Sequence, residues 1–492
     1  MSVLNLSRRP LFGTGILQHP LTLLMVVFVV SRVVYWLLGV RFLFQADQFW
    51  QFINSDILQA HFWESLWYLH TQPPLLNFIL GLAYQGFGGY AGAAGAMNVL
   101  FIGLGILLVI SLYQLLLALD LPIWLAFSAT LLYTISPIAI LYENYFMTTY
   151  PIASLMPFTF WRFARFIRTG SARDGLLLAL GLTAMAWIRS SIHLVWVAFV
   201  VVLALYYAPA RRSKYVVLLA VLLVGLLYVK NLALFGSPFT SSWFSMSAYN
   251  LAVRYFPPED YERMIASGEL LVPAGRQPFQ VPIRDLGSYT PRFENVALFE
   301  SEVVDGQINY HHYAYIDFSS NFMHDVMVML RHCPQCYLRS WVEASRVYLL
   351  SASEHGLLGS GNLEAVAPAR WFLNNVIYGR FITRSLFGFN ELGNTYPVIL
   401  LGVPLVLAAG LVYSIRALLK KQPLAPVLFA MALSSVFFAA TYTLFEIDEN
   451  QRFRFETDTL VFAMTVFLLW RLYQYLQERR AGQAANPPLV SA

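Results

Sequence analysis

The chain has 492 residues, 58% of them hydrophobic and only 12% charged, roughly half the ~25% charged share of an ordinary soluble protein. That balance excludes a soluble globular domain. A net charge of +5 does not mark a nucleic-acid binder, because the Lys and Arg residues are dispersed beside apolar runs, where membrane topology accounts for them.

In chain order, Ser7-Arg8-Arg9 precedes an apolar stretch that starts near Leu21 and has no small-residue cleavage site, which reads as a retained first span rather than a signal peptide. Apolar runs able to cross ~30 Å of hydrocarbon as helix fall near 20–40, 93–118, 122–141, 149–167, 175–188, 191–208, 215–233, 396–417, 423–444 and 456–475. The count is about ten, with the short fifth run either a span or a buried segment. With ten spans, the basic clusters Arg8-Arg9, Arg162 with Arg165, Arg168 and Arg173, Arg211-Arg212-Lys214, Lys420-Lys421 and Arg479-Arg480 all fall on one side, as the positive-inside tendency requires. The expectation is an all-α polytopic membrane protein of a bacterial inner membrane, with both termini cytoplasmic.

The opposite, extracytoplasmic face then receives segments 41–92 and 234–395 and short loops at 142–148, 189–190 and 445–455. An insert of about 160 residues is too long for a structureless loop, and 337–350 and 371–387 have helical apolar spacing. The chain divides into an N-terminal transmembrane module (1–233), a mainly helical extracytoplasmic domain (234–395) and a C-terminal transmembrane module (396–492). It has neither an internal repeat nor a low-complexity tract.

Polar groups on that face fall into four constellations. Asp47, Asp56 and Glu64 precede His70-Thr71-Gln72-Pro73-Pro74-Leu75, where paired prolines bar a continuing helix and hold Gln72 extended. A carboxylate beside that turn suits a general base; the plainer reading is a solvated loop acid. Tyr142-Glu143-Asn144-Tyr145 offers an acid and an amide to a sugar, a metal or a lysine, or forms an ordinary loop. Arg189, in a run ending at His193, lies close to membrane depth, where a cation is paired or faces a polar cavity. Finally, Glu446, Asp448 and 449–454 place Arg452 and Arg454 on one face if the segment is extended, and two guanidinium forks suit a phosphate. Lys230 adds an anion contact or snorkels. Cys333-Pro334-Gln335-Cys336 has dithiol spacing without a βαβ context, so it reads as a structural pair; two thiols argue against zinc despite His311, His312, His324 and His332.

These motifs, in this order, resemble the GT-C glycosyltransferases, particularly the branch of protein O-mannosyltransferases and lipid A aminoarabinose transferases. An early acid followed by an H-x-P-P-L or K-P-P-L turn is matched by Asp47 or Asp56 and by 70–75, although this chain has one more residue between His70 and the prolines, and Gln48 follows Asp47 where the family often has a second acid. Glu143-Asn144 and the 449–454 run, similar to an E-x-x-R-Y motif, extend the likeness to the first ~150 and last ~50 residues; the insert has no family signature. The resemblance implies a GT-C-like bundle and direct, inverting transfer of a sugar from a polyprenyl-phosphate donor to a glycan, lipid or protein acceptor. In it Asp47 or Asp56 is the catalytic base, and His70, Glu143, Asn144, Arg189, His193, Lys230, Arg452 and Arg454 bind substrate. Membrane lipid is a partner and nucleic acid is not. No cofactor is required by the motifs; a divalent metal is left open. The alternatives are an O-antigen-ligase-like transferase, which needs no early carboxylate, and a lipid-linked-sugar transporter.

Overall fold

The computed structural model describes residues 19–48, 50–209, 212–275, 277–290, 292–382 and 395–485; the basic residues Arg8, Arg9 and Arg211 and the last part of 371–387 lie outside them. The described chain is a helical array: α1 (Pro20–Leu37), α2 (Ser55–Ala60), α3 (Phe62–Tyr68), α4 (Leu75–Gly86), α5 (Tyr90–Ala118), α6 (Ile123–Thr134), α7 (Pro137–Glu143), α8 (Thr149–Thr169), α9 (Ala172–Ile188), α10 (Leu194–Tyr207) and α11 (Leu219–Phe235) come first. The insert contributes α12 (Phe244–Val253), α13 (Pro258–Ser267), α14 (Ala314–His332), α15 (Pro334–Tyr348), α16 (Ser360–Ala365) and α17 (Ala367–Phe372), and the chain closes with α18 (Pro397–Leu419), α19 (Ala425–Phe445) and α20 (Asn450–Ala485).

Among the described residues, six helices are long and apolar enough to cross a membrane, or seven if α6 and α7 form one bent span, so the expected count of about ten is not confirmed. The difference lies in α8 to α10. Helix α10 has 14 residues, about 21 Å at 1.5 Å per residue, short of ~30 Å of hydrocarbon. Helix α9 has 17 residues and opens on Arg173 and Asp174, while α8 carries Arg162, Arg165 and Arg168 in its second half. The run expected at 122–141 is broken by 57° at Ser136, held extended by Pro137 as steric conflict with the proline ring demands.

One apolar core unites α1, α5, α8 to α10, α19 and α20 through Phe28, Leu112, Phe160, Trp196, Phe438 and Phe467. The insert has its own core around Trp243, Tyr249, Phe256, Tyr315 and Phe322. It is not detached, however, because Val296, Leu298, Phe299 and Tyr313 pack into a third cluster with Phe52, Leu66 and Leu69 of the first loop. The insert also contains a hairpin in which Val303–Val304 pairs antiparallel with Gln307–Ile308. Its two-residue turn, Asp305 (φ 51°) and Gly306 (φ 75°), is the left-handed pair that matches strand twist. A disulfide joins Cys333 at the end of α14 to Cys336 in the first turn of α15, and α15 docks on α19 through Trp341 Nε1, which donates to Thr443 Oγ1 at 3.2 Å.

Candidate functional site

Asp47 sits in a 3-10 turn, and its carboxylate is held by one residue of α2: Ser55 donates its backbone N–H to Oδ1 at 2.8 Å and its hydroxyl to Oδ2 at 2.9 Å. The half-buried acid lines a surface cavity of about 50 Å³ together with Trp50, Asn54, Asp305, Gln307, Tyr310 and His311. Asn54, which caps α2, also donates Nδ2–H to Asp305 Oδ2 at 2.7 Å, tying the hairpin tip to the first loop. Asp56 is exposed in the first turn of α2 and is not among the residues lining this cavity. Glu64 accepts the Ala297 N–H at 2.9 Å and so anchors the insert.

The turn after these acids is clamped. His70 is wholly buried; its Nε2 lies 2.8 Å from the His311 carbonyl and its Nδ1 2.8 Å from Ser242 Oγ. A carbonyl only accepts, so Nε2 carries the proton and Nδ1 accepts from the serine. His311 repeats the pattern, donating from Nε2 to the Phe52 carbonyl at 3.0 Å and accepting from Thr71 Oγ1 at 2.6 Å. Expected as a substrate ligand, His70 therefore has both ring nitrogens committed to the protein and locks loop to insert.

Burial lowers the His70 and His311 imidazoles to about 3 and about 4, and His355 likewise to about 4. Above pH 6.5 they are neutral in both folded and unfolded chain. As pH falls below 6.5, only the unfolded chain takes the protons, so stability is lost down to pH 3–4, by about 1.4 kcal/mol per imidazole per pH unit. The melting temperature of the detergent-purified protein therefore drops between pH 7 and pH 5; a flat profile over that range contradicts the clamp.

Glu143 ends α7 as half of a bidentate ion pair: Arg32 Nε reaches Oε1 at 2.8 Å and Nη2 reaches Oε2 at 2.5 Å. Tyr150 donates its hydroxyl to Oε2 at 2.7 Å, and Arg32 stacks 3.9 Å from the Phe28 ring centroid. Asn144 turns back to the Ile140 carbonyl, while its own carbonyl accepts Leu43 N–H at 2.8 Å and Phe146 N–H donates to Leu43 O at 3.0 Å. This short parallel bridge between Leu43 and Tyr145 fixes the strand leading to Asp47.

Arg189, just past the end of α9, pairs with Glu456 at 3.1 Å, donates to Thr148 Oγ1 at 3.0 Å and lies 4.3 Å from the Phe453 ring centroid. Arg452 and Arg454 do not share a face as expected, because the helix has already begun at Asn450 and residues two apart on a helix point away from each other. Arg454 is spent on Asp458 at 3.1 Å and on the carbonyls of Tyr348 and Leu350. Arg452 differs. Fully buried, it pairs through Nη2 with Glu449, which also lies 4.0 Å from His355, and it abuts Tyr145. Among the described residues, its Nε and Nη1 have no hydrogen-bond acceptor apart from the Tyr145 hydroxyl beside the guanidinium.

Of the remaining expected ligands, His193 caps α10 and is exposed, and Lys230 donates Nζ to the Trp67 and Leu69 carbonyls at 3.1 and 2.7 Å. The structure thus brings Glu143, Asn144 and Arg452 to the strand that leads to Asp47. Asp56, His193 and Lys230 are held elsewhere. Arg32, Glu456, Asp458 and His355, the partners of these groups, escape motif reading because no local pattern marks them, except Arg32, whose charge inside an apolar run is itself a signal. Among the described residues, no group of three or more His, Cys, Asp and Glu is placed to hold a metal ion.

No family model, curated protein or solved structure matches this chain.

Proposed function

We propose that the chain is an integral-membrane glycosyltransferase that moves a sugar from a polyprenyl-phosphate donor to an acceptor at the extracytoplasmic face. The observation that carries this reading is Arg452, a buried guanidinium beside Glu449, His355 and Tyr145, whose Nε and Nη1 find no acceptor among the described residues apart from the Tyr145 hydroxyl. Buried donors without partners are costly, and a lipid phosphate satisfies them in the geometry a guanidinium favours.

In the proposed step, Asp47 takes the proton from an acceptor hydroxyl, whose oxygen attacks the anomeric carbon. The bond from that carbon to the phosphate oxygen breaks, and the electron pair leaves with the lipid phosphate against Arg452. The configuration inverts. Support for cooperation between the two groups comes from the backbone. Tyr145, against Arg452, is bridged to Leu43, and Asp47 follows four residues later, at most about 14 Å along the chain. In membranes supplied with radiolabelled polyprenyl-phosphate sugar, Asp47→Asn reduces transfer by about 10²- to 10⁴-fold, whereas Asp56→Asn leaves it near wild type. Equal loss in both variants, or in neither, contradicts the assignment.

A lipid-linked-sugar transporter is the second reading, favoured by the proline-broken α6–α7 segment, bent 57°, and its buried Glu143–Arg32 pair, features of substrate paths in transporters. Movement of intact lipid-linked sugar across a bilayer, without release of polyprenyl phosphate, distinguishes it.

A further inference from the structure

We infer that the cleft between the first loop and the 303–308 hairpin is a binding site for a neutral saccharide, which, on the transferase reading above, makes the acceptor a glycan. The cleft combines an aromatic surface with polar side chains. Trp50 lies 5.3 Å from Phe279 with ring planes 16° apart and 4.8 Å from Tyr310, yet keeps 43% of its surface exposed. This backing fixes the indole while leaving apolar area for the C–H face of a pyranose ring, the geometry by which a rigid aromatic contributes contact at small entropic cost.

Around it stand Asp47, Asn54, Asp305 and Gln307. The two Ser55 bonds fill only part of the acceptor capacity of the Asp47 carboxylate, which has about four lone-pair sites, so it can still accept from a sugar hydroxyl. Asp305, held by Asn54 at 2.7 Å, and exposed Gln307 present further acceptors and an amide donor on the hairpin. The cavity, about 50 Å³ and open to the surface, takes one face of a ring rather than enclosing it.

Charge selects the ligand class. The cleft contains two carboxylates, while its one imidazole, His311, is buried and held neutral by a pKa of about 4. Among the described residues, no Lys or Arg lines it. Phosphate and uronic acids are therefore repelled, and a neutral polyhydroxyl ligand fits. This also separates the cleft from the Arg452 site: the former suits a neutral acceptor and the latter an anionic leaving group. Each substrate thus has a site matched to its charge.

The test is binding of the detergent-purified, fluorescently labelled full chain to a printed array of neutral and uronic-acid-containing oligosaccharides, without any lipid donor. Neutral glycans are retained by the wild type, and Trp50→Ala and Gln307→Ala each weaken retention by about tenfold or more, with melting temperatures unchanged. Gln307→Ala alters an exposed side chain and so guards against misfolding of the tryptophan variant. Absence of binding to every neutral glycan, preference for the uronic acids, or binding unaffected by both substitutions overturns the inference. The assay needs no donor, so it separates the two claims. Glycan binding without transfer overturns the transferase reading alone, and transfer without glycan binding overturns the saccharide cleft alone.

Discussion

Arg452→Ala lowers sugar transfer by about 10²- to 10³-fold, the loss expected when one preorganised charge-stabilising group is removed from a transition state. The wild-type side chain is fully buried, lies 4.8 Å from the Phe453 ring centroid and spends one nitrogen on Glu449. Apart from the Tyr145 hydroxyl beside the guanidinium, no described residue offers Nε and Nη1 an acceptor. A departing phosphate gains negative charge as the bond to the sugar breaks, so these two donors act most strongly in the transition state. Arg452→Lys keeps the charge but loses the planar fork and recovers only part of the rate, because an ammonium cannot bind phosphate in the same bidentate way. The readout is initial transfer rate at saturating donor, normalised to the amount of folded protein. More than half the wild-type rate in Arg452→Ala contradicts the phosphate assignment.

Arg32→Met destabilises the protein by about 3–5 kcal/mol, since removing one partner leaves a buried, uncompensated charge. Glu143 is 2% exposed, and Arg32 gives it two hydrogen bonds at 2.8 and 2.5 Å. Tyr150 alone then remains to donate to Oε2. The pair also joins α1 to α7, so its loss loosens the packing of the first helix on the bent segment. Replacing both partners, Arg32→Met with Glu143→Leu, recovers most of the loss, because apolar side chains of similar volume remove the desolvation penalty together with the attraction. Thermal denaturation in detergent compares the three proteins. Equal destabilisation of the single and double variants contradicts a net cost of the unpaired charge and indicates a specific role for the carboxylate.

The membrane character of the chain was legible from composition, and the ends of two long helices were legible from hydropathy, 93–118 against Tyr90–Ala118 and 423–444 against Ala425–Phe445, whereas the longest helix, Asn450–Ala485, runs past the expected 456–475 at both ends. The number of spans was not legible, because burial in protein and burial in lipid have the same apolar signature. Phe160, Phe163, Leu178 and Leu182 are buried in the helical core, so the hydropathy of α8 and α9 reports packing as much as lipid. Proline chemistry marked the turn after His70 correctly, but its imidazole was read as a ligand because its acceptor, the His311 carbonyl, is 241 residues away. The same separation hid the hairpin that faces Asp47. Arg454 was lost as a phosphate ligand for a local reason, since an extended segment was assumed where a helix begins at Asn450.

The central claim, sugar transfer from a lipid phosphate, is tested most directly in sealed proteoliposomes containing the purified full chain, a polyprenyl-phosphate sugar labelled at the anomeric carbon and a neutral glycan acceptor. The account predicts release of polyprenyl phosphate in step with labelled glycan of inverted configuration, dependent on both Asp47 and Arg452. Label that crosses the bilayer with the lipid–sugar bond intact, and no released polyprenyl phosphate, contradicts it.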